Sequence, residues 1–129
     1  MDERTSSFLP PPQEFQAQQG RLDLRLRVCA QGRDVCAILT GGAAHAGATA
    51  LAAPGETTMV CERAGHREGP LAAQTAERLC AGLGCAVSVS CGIHFEAITR
   101  QEIADVEALA GWLVEEYLSS LRTRSENPC

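Results

Sequence analysis

The sequence predicts an α+β domain, a mainly antiparallel sheet of about five strands with two helices packed on one face, in the order β-β-β-β-α-β-α. Three observations lead there. "RLDLRLRV" (21–28) alternates apolar and polar residues with the period of two that a half-buried strand requires. A 3.6-residue apolar stripe follows Thr99 for about five turns, the pattern of a helix lying on a sheet. Four strand-sized runs precede the first helical pattern, so most neighbouring strands have no crossover helix between them and pair as hairpins.

The first twenty residues carry "LPPPQ" and "QAQQG", which have little to bury, and the composition predicts a disordered tail over 1–20. Leu22, Leu24, Leu26 and Val28 then form the apolar face of the first strand, with Arg21, Asp23, Arg25 and Arg27 opposite. "AQGRD" supplies a turn, and "VCAILT" (35–40) is a continuous apolar run suited to a more central strand. "GGAAHAG" (41–47) reads as a loop, and "ATALAA" and "TTMVCE" as two weaker strands broken at Pro54-Gly55. After "AGHREGP", Pro70 at a first helical position opens a helix with Leu71, Thr75, Leu79 and Leu83 on one stripe and Gly84 as its C-terminal cap. "CAVSVS" (85–90) alternates again as a strand. Thr99 and Glu102 form a capping box for the last helix, whose stripe is Ile103, Val106, Ala110, Leu113, Val114, Tyr117, Leu118 and Leu121. The pattern therefore predicts one ligand-binding domain over 21–121 and a flexible tail over 122–129.

Composition excludes several functions. Eleven basic against sixteen acidic residues give a net charge of -5, with no electrostatic basis for broad phosphate-backbone contact, so no nucleic acid is expected as a partner. The uncharged stretch Val35 to Gly55 is long enough to cross a bilayer as a helix, but glycines, a proline and a histidine divide it into strand-sized pieces, and no membrane role is expected. Seven cysteines, an odd number, without a CxxC and without a leader pattern, argue against a disulfide scaffold and for a reducing cytoplasm, most of them serving as small buried hydrophobes.

All three histidines lie in short glycine-containing segments between elements: "GGAAHAG", "AGHREG" and "CGIHFE". Glycine removes the Cβ that blocks close approach of a ligand to backbone amides, and imidazole offers a donor, an acceptor or a metal-ligating nitrogen. The bland reading of any one is a turn residue, and three together suggest a binding rim. His66 and Arg67 precede a helix N-terminus, where an anion would meet the Gly69 amide and the Arg67 charge against the repulsion of Glu68. A metal site of His45, His66 and His94 is a sharper alternative, although their separations show no ligand spacing. Cys61 and Cys91 lie near histidines in sequence, but buried cysteine explains them better than a nucleophile does.

The three segments "TGGAAHAGATALA", "GHREGPLAAQTAERL" and "GIHFEAITRQEI", in this order and spacing, resemble the small prenylated-flavin chaperone family, which includes the D subunit of gallate and hydroxyarylic acid decarboxylase systems. The resemblance spans roughly 21–121 and implies a fold like that of proteasome-assembly chaperones. It also implies a homodimer, and a non-catalytic accessory role in supplying prenylated FMN (or FMN) to a UbiD-like decarboxylase. The residues it places around the cofactor are Gly41, Gly42, His45 and Gly47, then Gly65, His66, Arg67 and Glu68, then Gly92, His94 and Thr99. Relatives carry Asn-Ala-Thr where this chain reads Glu96-Ala97-Ile98-Thr99. Two alternatives stand beside this one: a metal-dependent enzyme using the three histidines, and a protein-assembly module without a small ligand.

Overall fold

Alternation and the capping box become real structure. The computed structural model describes residues 12–126, with side chains to Thr123. Six strands, β1 (Gln13–Gln19), β2 (Leu22–Gln31), β3 (Asp34–Gly42), β4 (Ala48–Ala52), β5 (Met59–Glu62) and β6 (Val87–His94), form one sheet in the order β1-β2-β3-β6-β4-β5. Helix α1 (Gly69–Leu83) lies between β5 and β6 in the chain, and α2 (Arg100–Glu126) follows β6. Every pairing is antiparallel except the central one, in which β3 and β6 run parallel with Leu39 opposite Cys91.

The apolar phase of each strand faces the helices. Leu22, Leu24, Leu26 and Val28 on β2, Ala37 and Leu39 on β3, Val87, Val89 and Cys91 on β6, and Ala48, Ala50 and Ala52 on β4 are all buried. Against them α1 lays Ala72, Ala76 and Leu79, and α2 lays Val106, Ala110, Leu113, Val114, Tyr117 and Leu118. Small side chains on β3, β4 and α1 let the helix sit close, which is how a chain poor in aromatics closes its core. Ile103, expected on the buried stripe of α2, is exposed instead.

At both ends of the fold the boundaries differ from the sequence expectation. Gln13–Gln19, assigned by composition to the tail, pairs along its whole length with β2 and adds a sixth strand. Only Phe15 and Ala17 of it pack inward, Phe15 edge-on against Tyr117, so its order comes from the register of its partner rather than from its own hydrophobicity. The last helix continues past Leu121 to Glu126, with Arg122 and Thr123 both bonded back to Ser119. The remainder of the two expected tails lies outside the described residues. Cysteine burial is also narrower than expected: Cys80 and Cys91 are in the core, Cys29, Cys36 and Cys85 are half-buried, and Cys61 is exposed. Among the described residues, no helix is long and apolar enough to cross a membrane.

Among the described residues, no helix lies over the opposite sheet face. Its β1–β2 half is polar, with Arg25 near Glu14 at 3.9 Å and Gln16 donating to Asp23. Its other half carries the exposed side chains of Ile38, Leu51 and Met59.

The caps are as the sequence specifies. Gly84 ends α1 in the left-handed conformation (φ 73°), its amide bonded to the Cys80 carbonyl at 2.8 Å. At α2 the Glu102 amide donates to Thr99 Oγ1 (3.1 Å), and the Thr99 amide donates to Glu102 Oε1 (3.0 Å). Arg21 adds a two-pronged bond to the same carboxylate at 2.8 and 2.9 Å, tying the start of β2 to the start of α2. Arg21 and the Thr99 amide hold the Glu102 carboxyl down at about 2. Thr99→Ala should cost about 1 kcal/mol, read as a lower urea midpoint at unchanged slope; an unchanged midpoint would mean the cap contributes nothing.

Candidate functional site

In the sheet, β6 lies between β3 and β4, so the connection from β3 to β4 must cross over β6. Residues 43–47 make that crossing, and His45 is at its middle. The Ala43 amide donates to the His94 carbonyl (3.0 Å) on one side of it and the Gly47 amide to the Cys91 carbonyl (2.9 Å) on the other. The chain passes so close to Gly92 that a Cβ there would overlap the His45 carbonyl.

The β5–α1 connection docks on the same place. The Arg63 amide donates to the Gly47 carbonyl (2.9 Å), and its guanidinium to the Ala46 carbonyl (2.8 Å). Pairing of β4 with β6 ends at Ala48 and Cys91, which leaves the Ile93 amide beyond it without a strand partner. Glu68 fills that position: its Oε2 accepts from Ile93 at 3.1 Å. The same oxygen lies 2.6 Å from His45 Nε2, and Oε1 lies 3.5 Å from His66 Nδ1. The two imidazole rings are 5.0 Å apart, centre to centre. One carboxylate therefore joins all three segments.

Burial alone would raise the Glu68 carboxyl, but bonds from the Ile93 amide, its own amide and His45 outweigh it and hold the group below the usual carboxylate value. His45 Nδ1 is 3.0 Å from the Ala43 carbonyl, which can only accept, so this nitrogen carries a proton. Its Nε2 is buried against that carboxylate, 2.6 Å away, a contact that holds only with a positive charge between the two atoms.

The glycines also allow close approach within the chain itself. Beyond Gly92, a Cβ on Gly47 would overlap the Glu68 carboxylate, and one on Gly42 (φ 62°) would overlap the His94 carbonyl. A Cβ on Gly41 would come to 3.0 Å from the Asp23 carbonyl. These four let the chain pack against itself; Gly65 alone among the glycines named as rim residues has open space around it.

The remaining expected rim residues divide. Arg67 is exposed and makes no ion pair among the described residues. His94 ends β6 pointing outward, its Nε2 3.2 Å from Glu96, and stands apart from the His45, His66 and Glu68 cluster. Thr99 is engaged in the α2 cap. The Gly69 amide, expected to be free for an anion, is taken by Glu62 Oε2 at 2.7 Å. Burial, and then the charge of Glu68, push the Cys91 thiol up to about 12, which removes it as a nucleophile. Glu62 and Arg63 were not legible as site residues, because each acts through a backbone group that no sequence spacing marks.

The profile of the prenylated flavin chaperone LpdD-like domain matches residues 18–122. Among solved structures, a chaperone complex for yeast 20S proteasome assembly is similar in fold, with a TM-score of 0.52 at 7% identity over 87% of this chain and 96% of that one. No curated protein sequence matches. By the extent of the first match, the chain belongs to the family of prenylated flavin chaperone LpdD-like domains.

Proposed function

We propose that this protein is a non-catalytic accessory subunit that binds prenylated FMN, or FMN, and assists its delivery to or maturation in a UbiD-like decarboxylase. The observation that carries the reading is the convergence on Glu68 of the segments bearing His45 and His66 with the end of β6. The chain's family membership gives that surface its ligand class. The donor set suits an anionic flavin. The unpaired Arg67 guanidinium supplies charge for a phosphate, and the imidazoles of His66 and His94 supply exchangeable donors at the rim. A flavin bound there would bring the prenylated ring chemistry, while this chain's residues only hold and shield it.

The protein acts as a homodimer in this reading. Ile38, Leu51 and Met59, bordered by Glu14, Arg25 and Arg27, give the open sheet face the apolar centre and polar edge of a two-fold interface with a second copy. A cytoplasmic setting belongs to the same reading, since the exposed Cys61 thiol suits a reducing compartment.

Anaerobic titration with FMN and prenylated FMN, followed by flavin absorbance, should give saturable binding in the micromolar range. Arg67→Ala should weaken it roughly tenfold, the worth of one charge-assisted bond. Light scattering on the same sample should report about twice 13.7 kDa. If neither flavin binds at ~50 μM, the reading fails and an assembly module without a small ligand takes its place.

A further inference from the structure

We propose that His45 Nε2, His66 Nδ1 and the Glu68 carboxylate bind a divalent transition-metal ion of the zinc type, independently of any flavin. The three ligand atoms lie within 4.8 Å of one another. Two imidazoles and one carboxylate are a donor set that zinc, cobalt and their neighbours accept, leaving further positions for water or an anionic ligand. Three details of this chain suit a bound cation.

The first is the tautomer. The Ala43 carbonyl fixes a proton on His45 Nδ1, which makes Nε2, beside the carboxylate, the nitrogen that can take an ion. A backbone carbonyl holding the distal nitrogen in this way is the usual support of a metal-ligating histidine. The second is that Nε2 is buried 2.6 Å from an anionic oxygen, a contact that needs a positive charge between the two atoms, which an ion supplies in place of a proton. The third is division of labour at Glu68. Oε2 is anchored by the Ile93 amide, and Oε1 faces His66 at 3.5 Å, too long for a bond and suited to an ion placed between. Both imidazoles keep about a quarter of their surface exposed, so an ion can reach the site. His94, paired with Glu96, is not a ligand.

The test uses the full chain, stripped with chelator and free of flavin and phosphate, titrated with Co2+ and then Zn2+. Binding of one Co2+ per chain should produce visible d–d absorption that Zn2+ abolishes by displacement. His45→Ala and His66→Ala should each weaken Co2+ binding roughly 100-fold or more, and His94→Ala should leave it unchanged. The His66 side chain makes only the long contact to Glu68 and the ring contact with His45, so His66→Ala keeps the fold, which a circular dichroism melt verifies, and the test stands even if His45→Ala does not fold. Absence of Co2+ binding at ~100 μM, indifference to His66→Ala in a folded sample, or equal dependence on His94 each overturns the assignment. Flavin takes no part in this experiment, so its outcome is separate from that of the flavin titration.

Discussion

Gly92→Ala should lower the unfolding free energy by about 3 kcal/mol or more and detach the His45 loop from the sheet. The new Cβ would occupy the space of the His45 carbonyl, which is backbone and cannot swing away as a side chain can. Relief requires the crossing loop to lift, and that movement breaks the Ala43–His94 and Gly47–Cys91 hydrogen bonds and pulls His45 from Glu68. Domains of this size have about 5–15 kcal/mol in total, so the midpoint of thermal unfolding should fall by roughly 10 °C or more. Gly55→Ala is the matched control. Gly55 has a positive φ of 75° but open space around it, and should show only the left-handed strain of about 1 kcal/mol. Equal losses for the two variants, measured by urea unfolding, would mean that no loop crosses at Gly92.

Glu68→Ala has the second largest expected effect, about 2–4 kcal/mol at neutral pH, because it strips partners from the Ile93 amide and His45 together. Glu68→Gln separates charge from shape, since an amide oxygen still accepts from Ile93 but cannot titrate. The folded-state value of Glu68 lies below the ordinary one, so its ionic contribution is present above the unfolded value of about 4.3 and is lost as pH falls through the folded one. The stability gap between the natural chain and Glu68→Gln should therefore narrow as pH falls below about 4.3. A gap that widens on acidification would reverse the assignment of sign. Some acid loss remains in both proteins, because Glu102 is also held down, to about 2.

Legibility of the fold followed periodicity. β2 and α2 were readable because each buries one face of a regular pattern, and the Thr99–Glu102 box was readable because both partners are written three residues apart. β1 was not, since a glutamine-rich edge strand with two inward side chains looks like a tail until its neighbour is known. β6 was cut short because Gly92 resembles a strand break, whereas it is a point where the chain passes over itself. The parallel β3–β6 pairing left no mark in either strand. The site was legible as residue types but not as a constellation. His45 and Glu68 are twenty-three positions apart, and their contact follows from strand order. His94 looked equivalent to the other two histidines, yet the last residue of a strand alternates outward.

The place of β6 in the sheet has a consequence for folding order. β1, β2 and β3 pair with sequence neighbours, as do β4 and β5, so these two units can form early and locally. They are joined only through β6, which arrives after α1 in the chain and must slot between them. Until it does, the His45 segment is a tether spanning an empty gap of roughly 10 Å, twice the strand spacing. The surface around Glu68 thus cannot exist in a half-folded chain: its appearance marks the moment at which the sheet closes.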